Sequence, residues 1–264
     1  VQIGLGVRYR VCIVTTGWLN VQHHAVLGST NDEAKRLADA GCPHGTVVWA
    51  DEQTAGHGRY GRVWQSPAGN LLFSVVLRPQ VRALRAAELG FLCAVVVADC
   101  VAELLPRGDG VGLKWPNDVQ VDGAKVAGLL PEAESSGEAL AWVVLGVGLN
   151  LAHAPVGTPY PATCLRLHGA TATPEQALWT FLRHLSGWLP RWKHEGFVAV
   201  RDAWLARALG LGGEVVVNLG DRQQRGIFRG LDSDGAMILG TAQGDRRITA
   251  GDVAFGVSTS EGQA

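Results

Sequence analysis

"AGHGRYGRVW", residues 55–64, satisfies two glycine-loop patterns at once, and which of them its surroundings permit decides the fold. Gly56-x-Gly58-x-x-Gly61 is the dinucleotide-binding fingerprint, and Val63 extends it to the glycine-rich loop of protein kinases. A dinucleotide turn must open a helix and be followed about 20 residues later by an acidic residue for the ribose. Residues 62–77 read instead as strand, Ser-Pro-x-Gly turn and strand, ending at Arg78 and Pro79. A kinase needs V-A-I-K, H-R-D and D-F-G, and the chain has none of them. Both readings fail on context. The loop's own chemistry survives: glycines let backbone N–H groups approach a ligand, and Arg59 and Arg62 place two permanent cations where anionic oxygens would be held.

Outward from the loop, the chain alternates helix and strand signals. In "STNDEA", Thr30-x-x-Glu33 has capping-box spacing and predicts a helix from about Asn31 until Gly41 and Pro43 stop it. "TVVWADEQ" and "LLFSVVLRP" are β-rich. "ELGFLCAVVVADCVAELL" reads as a buried helix, too short and too interrupted by Asp99 and Glu103 to span a bilayer. "VQVDGAKVAGLL" predicts two strands around an Asp122-Gly123 type I′ turn, and "ALAWVVLGVGLNL" another strand. Thr173-Pro174-x-Gln176 opens a further capped helix, and residues 197–209 continue helical. From Gly212 the pattern changes to short strands between Gly and Asp turns, the signature of a small β-barrel, with a boundary near Leu211.

Composition excludes several function classes. The 264 residues carry a net charge of -1 and no Lys/Arg run, so the electrostatic footprint of broad nucleic-acid binding is missing. Cys12, Cys42, Cys93, Cys100 and Cys164 form no C-x-x-C pair, which fits reduced thiols rather than a disulfide framework or a zinc site, and no metal-binding residues are assigned. Residues 1–20 give no definite element and lack a secretory signal, which makes the cytoplasm the default compartment.

Five short motifs, "GSTN" (28–31), "GRYGRVW" (58–64), "KWPNDV" (114–119), "KVAG" (125–128) and "GVGLN" (146–150), occur in this order and at these separations. Together they resemble the biotin protein ligases, the biotin:acetyl-CoA-carboxylase ligase family, in the form without a DNA-binding domain. The resemblance covers residues 21–211 as catalytic biotin- and ATP-binding domain, and residues 212–264 fit the family's SH3-like domain by pattern. It implies an α+β fold, a mixed-sheet catalytic domain followed by a small SH3-like β-barrel. The activity implied is formation of biotinyl-5′-adenylate from biotin and Mg-ATP, then transfer of biotin to a lysine of a biotin carboxyl carrier domain. A homodimer is compatible with it; a DNA or membrane partner is not implied.

Residue by residue, the resemblance puts Ser29, Thr30, Asn31 and Gln53 at the biotin head, where hydroxyls and amides read the ureido group. Gly56, His57, Gly58 and Arg59 fall on the loop closing over carboxylate and phosphate, and Gly128, Gly146 and Gly148 line the biotin pocket. Arg59, Arg62, Trp64, Asn117, Lys125 and Asn150 fall to ATP. Lys125, Arg59 and Asp118 are the catalytic candidates: Lys125 bridges carboxylate and α-phosphate and stabilises the charge developing there, and Asp118 orients Lys125 or the incoming amine. His57 departs from the G-R-G-R of many members and, mostly uncharged at neutral pH, contributes less than Arg59.

Each assignment has a plainer competitor. Ser29 and Thr30 suffice as a helix cap, Asn117 and Asp118 as a turn, Trp64 and Trp115 as core. Lys125, inside an apolar strand, has no packing explanation. The loop, glycine-rich and with arginines lacking obvious partners, is expected to be mobile without ligand. Among other functions, lipoate or another acyl-group ligase shares the fold but its arginine-glycine loop and histidine-aspartate pair are not visible. A biotin-sensing transcriptional regulator would need more chain than the first 20 residues. The β module carries no catalytic candidate and is expected to dock the carrier, through Arg222, Arg225 and Arg229, or to stabilise the core.

Overall fold

The computed structural model describes residues 12–255, apart from residue 221. Eight strands form a mixed sheet in the order β1-β2-β3-β4-β8-β7-β6-β5: β1 (Cys12–Thr16), β2 (Leu19–Leu27), β3 (Thr46–Gln53), β4 (Leu71–Leu77), β5 (Val111–Lys114), β6 (Asp118–Val121), β7 (Ala124–Ser136) and β8 (Ala139–Leu149). Only β2 and β3 pair in parallel, and α1 (Thr30–Asp39) makes the crossover between them. The β6–β7 hairpin turns through Asp122 (φ 49°) and Gly123 (φ 80°), the two left-handed residues a type I′ turn requires. The first 11 residues of the segment left unread in the sequence lie outside the described residues; the rest supplies β1 and the start of β2.

The sheet is buried on both faces, and β8 shows how. Val143, Leu145, Val147 and Leu149 join the main core, which includes α2 (Ala86–Leu104). Trp142 and Val144 turn the other way, into a small cluster with Ala34 and Ala38 of α1. Beyond Val144 that second face carries Gly146 and Gly148, so the strand presents no side chains where the first turn of α1 lies and the cleft begins. The long helix α2 is apolar nearly all round because α3 (Pro174–Glu195) and α4 (Phe197–Leu205) cover the side turned away from the sheet. Thr173 and Gln176 close a reciprocal capping box at the start of α3.

Three sequence expectations are corrected locally. The N-cap of α1 is Ser29, whose Oγ accepts from Asp32 N; Thr30 is already helical and its hydroxyl is used elsewhere. Helix α4 stops at Leu205 because the next residues run beside edge strand β5: Leu113 N donates to Arg207 O at 2.8 Å and Leu209 N to Leu113 O at 2.9 Å, hydrogen bonds a helix would forfeit. The strand expected from Arg62 is reduced to one bridge between His57 and Val63.

A second, antiparallel sheet has the order β12-β11-β10-β9-β13, from β9 (Glu214–Asn218), β10 (Gln223–Leu231), β11 (Met237–Thr241), β12 (Gly244–Ile248) and β13 (Asp252–Phe255). Its outer strands β12 and β13 do not pair with each other among the described residues, so this SH3-like module is an open sheet, not the closed barrel expected. Charged Asp245, Arg246 and Arg247 on the exposed edge strand β12 discourage further pairing. The module shares the main core: Phe228 meets Trp204 edge-on at 6.4 Å, and Trp115 Nε1 donates to Gly235 O at 3.2 Å. This docking carries β13 to the mouth of the cleft. Among the described residues no helix is long and apolar enough to cross a membrane.

Candidate active site

The cleft, of about 220 Å³, lies on the α1 face of the large sheet. At one end the first turn of α1 brings in Thr30 and Asn31, both buried. Gln53 Oε1 accepts from Thr30 N at 2.7 Å and from Thr30 Oγ1 at 3.1 Å, while Gln53 Nε2 donates to Ser66 Oγ at 3.0 Å. Ser74 Oγ, on β4, stands 2.9 Å from Thr30 Oγ1 and 2.5 Å from Asn31 Oδ1. Asn31 Nδ2 donates to Leu130 O (3.0 Å) and Glu132 Oε2 (2.8 Å) on β7. The amide lies over Gly146, where any Cβ would overlap Asn31.

The floor is a pair of facing glycines. Gly128 and Gly148 are cross-strand partners on β7 and β8, and the Trp64 indole lies across both. A Cβ at Gly128 would stand 2.7 Å from Trp64 Cζ3, and one at Gly148 2.6 Å from Cζ2 and nearer still to Cε2 and Nε1. Trp64 Nε1 is buried with no acceptor among the described residues.

Lys125 reaches the cleft through a break in strand parity. Along β7, Gly128 and Leu130 line the cleft, and strict alternation would aim Val126 there too; Val126 is instead fully buried in the core and Lys125 lines the cleft. A bulge between β6 and β7 inserts Val126 without a partner and flips the parity. Lys125 Nζ then meets Asp118 Oδ1 at 2.6 Å and lies 5.4 Å from the Trp64 ring centre. Both side chains are mostly shielded, at 29% and 17% exposure, so the pair is stronger than a surface bridge.

The glycine loop is a small hairpin, closed by Trp64 N to Gly56 O (2.9 Å) and Gly58 N to Arg62 O (2.7 Å), with Tyr60 and Gly61 left-handed at its tip. Gly56 packs behind the cleft against Gln53 and Ser66 and does not line it; Gly58 does. Contrary to the expectation from sequence, the arginines have partners. Arg59 donates to Asn117 Oδ1 and Gly251 O, each at 3.3 Å, and both Arg59 (3.6 Å) and Arg62 pair with Asp252 of β13. The hydrogen bond that Arg62 donates to Asp252 holds its guanidinium above its usual range against the opposing effect of burial. His57 stays at the rim, with Nε2 3.8 Å from Asp32.

Of the sequence-derived candidates, Ser29, Thr30, Asn31, Gln53, His57, Gly58, Arg59, Arg62, Trp64, Asn117, Asp118, Lys125, Gly128, Gly146, Gly148 and Asn150 all line this one cleft; Gly56 alone does not. Ser66, Ser74, Glu132, Asp252, Tyr160 and Lys114 were missed. Lys114 is nearly buried with Nζ 4.2 Å from the Tyr160 ring centre, and burial pulls its pKa down against the opposing pull of Asp118. It sits at the head of "KWPNDV", and a lysine in an apolar strand was the available signal. Among the described residues no cysteine lines the cleft, and burial pushes the Cys93 thiol up and that of Cys100 up to about 12.

Residues 24–150 match the biotin/lipoate A/B protein ligase family and residues 210–256 the biotin protein ligase C-terminal domain. The chain is 40% identical over 234 residues to the biotin–acetyl-CoA-carboxylase ligase of Paracoccus denitrificans, covering 86% of this chain and 97% of the relative. The ligase of the same name from Mycobacterium tuberculosis is 36% identical over 245 residues, 90% of each chain. The structure of biotin protein ligase from Aquifex aeolicus in complex with biotin and ATP superposes with a TM-score of 0.74 at 29% identity, covering 89% of this chain and 97% of that one.

Proposed function

The chain belongs to the biotin protein ligases of the biotin/lipoate A/B protein ligase family, and we propose that it joins biotin to ATP as biotinyl-5′-AMP, releasing pyrophosphate, and then transfers biotin to a lysine of a carboxylase's biotin carboxyl carrier domain. The observation that carries this reading is the position of the Lys125–Asp118 pair (2.6 Å) relative to the amide cluster. Lys125 lies near one end of β7 and Leu130, which touches Asn31, five residues along it. At the rise of a strand that is about 16 Å along the backbone, room for an elongated acid with a polar ring at one end and a carboxylate at the other.

The roles follow from the chemistry at each end. Ser29, Thr30, Asn31 and Gln53 take the ureido ring, and Gly128, Gly146 and Gly148, by letting Trp64 and Asn31 lie flat against the strands, leave room above them for the flat ring system. A biotin carboxylate oxygen attacks the α-phosphorus and pyrophosphate leaves. Lys125, a fixed cation in a shielded cleft, stabilises the charge that grows on the phosphoryl oxygens, and Asp118 orients Lys125. Arg59 and Arg62 take the phosphates in place of Asp252, Trp64 forms a wall of the nucleotide site, and Asn117 and Asn150 complete it. Asp118 is already paired with Lys125 and no group of His, Cys, Asp and Glu side chains among the described residues could hold a metal ion, so Mg²⁺ would enter with ATP as part of the substrate. Residues 21–211 are the catalytic domain and 212–264 the C-terminal domain, whose strand β13 brings Asp252 and Val253 to the cleft's rim. The reaction takes place in the cytoplasm, where ATP and the carboxylase are found together. Biotin-dependent exchange of labelled pyrophosphate into ATP tests the reading; exchange with lipoate or octanoate but not with biotin overturns it.

A further inference from the structure

Asn31 is wired more completely than a ligand-contacting amide requires. Its nitrogen faces two groups that can only accept, the Leu130 carbonyl at 3.0 Å and the Glu132 carboxylate at 2.8 Å, and its oxygen faces the Ser74 hydroxyl at 2.5 Å. The flipped amide would set oxygen against oxygen at both acceptors, so one orientation is enforced. Glu132 is in turn charge-balanced by Lys35 Nζ at 2.8 Å, one helical turn along from Asn31. Neither Glu132 nor Lys35 lines the cleft, whereas Asn31 and Gly146 beneath it do.

We propose that Glu132, balanced by Lys35, is a positioning residue for substrate selection: it pins the Asn31 amide with nitrogen turned away from the cleft, leaving Oδ1 to accept from the substrate head. The inference rests on the function proposed above. The cleft then presents an acceptor here that cannot become a donor, and it selects a ring N–H over an isosteric ring oxygen. Ser74 marks the same polarity from the other side, because its single proton goes to the atom 2.5 Å away that can only accept, Asn31 Oδ1. Without Glu132, Asn31 keeps Leu130 O as its one fixed acceptor and gains freedom to rotate.

The test is pyrophosphate exchange with biotin and with two analogues in which each ureido N–H in turn is replaced by oxygen. The parent should reject one analogue by about 100-fold or more, the penalty of an unmatched buried polar contact. In Glu132→Ala the KM for biotin should rise about 10-fold with kcat little changed, and discrimination against that analogue should fall to about 10-fold or less. Glu132→Gln, which keeps an acceptor for Asn31, should retain most of the parent's selectivity, and Lys35→Met should lose part of it. Equal losses for biotin and both analogues would make Glu132 merely structural and overturn the proposal, as would selectivity unchanged in Glu132→Ala. A parent without biotin-dependent exchange would refute the function itself, a different result from a biotin-active parent whose selectivity ignores Glu132.

Discussion

Replacing Gly148 with Ala measures what the glycine floor is for. The three atoms nearest a Cβ at this position all belong to the Trp64 indole, one of them Cζ2 at 2.6 Å, where ordinary contact needs well over 3 Å. Gly148 has no left-handed φ, so alanine meets no backbone strain. In an otherwise unchanged protein Gly148→Ala should therefore destabilise by about 1–3 kcal/mol, the usual cost of overpacking, with the indole displaced from the floor. In a Trp64→Ala background the obstruction is gone. There the same substitution should stabilise by about 0.4–1 kcal/mol, because alanine narrows the unfolded ensemble more than glycine does. The effect changes sign between backgrounds, with a coupling of about 1.5–4 kcal/mol, well beyond the roughly 0.5 kcal/mol tolerated for independent sites. Urea unfolding of the four proteins supplies the cycle. Equal effects in the two backgrounds would refute the claim that the glycine exists to admit the indole.

Three further outcomes are expected. Lys125→Ala should fold normally yet slow single-turnover adenylate formation about 100-fold or more, the scale of losing one preorganised charge; near-normal adenylation would mean another group carries the role. Asp252→Asn should release Arg59 and Arg62, so trypsin cuts the ligand-free loop there several-fold faster and the KM for ATP drops a few-fold as the internal competitor is lost; unchanged cleavage would show that the pairing does not hold the loop. Burial lowers the pKa of His24, countered in part by Glu33, and lowers that of His44, with Lys193 acting in the same direction. Because the unfolded chain then binds more protons than the folded one, stability should hold above about pH 6.5 and fall as pH drops through the lowered folded values. His24→Gln should flatten the fall in urea midpoint, and an unaltered slope would exclude His24 as a source.

What could be read from the sequence was local. The helix start at "STN", the Asp-Gly hairpin and the capping box at Thr173 depend on neighbours within a few residues, and each element is present, the first with its cap shifted by one position. Lys125 was visible because a charge in an apolar run lacks any packing reason, but which face it served was not, since that depends on the bulge at Val126. Strand β2, next to edge strand β1, was hidden by its histidines: His23 looks wrong for a half-buried strand until Trp49 stacks on it at 3.7 Å and Asp51 accepts from it at 2.8 Å, both contributed by β3. The stop of α4 was equally hidden, because its cause is the open edge of β5, almost 100 residues earlier.

The cleft divides along the same line. Its amide end is built from one helix start and the faces of β3, β4, β7 and β8, so motif residues converge there once strand order is fixed, and their hydrogen bonds close on one another in a buried network. Its cationic end is different: two arginines of one loop are held by a carboxylate 190 residues away, on a strand the catalytic motifs never mention. On the function proposed above, that carboxylate stands where the phosphates would bind, so the arginine loop is neither free nor permanently fixed. On that proposal an incoming phosphate would compete with Asp252 for the same guanidiniums, at a site where Arg62 remains 56% exposed and the ion pair is correspondingly weak. The docking of the SH3-like module on the main core is therefore part of the active site's electrostatics, because moving β13 would leave Arg59 and Arg62 as uncompensated neighbouring cations until phosphate arrived.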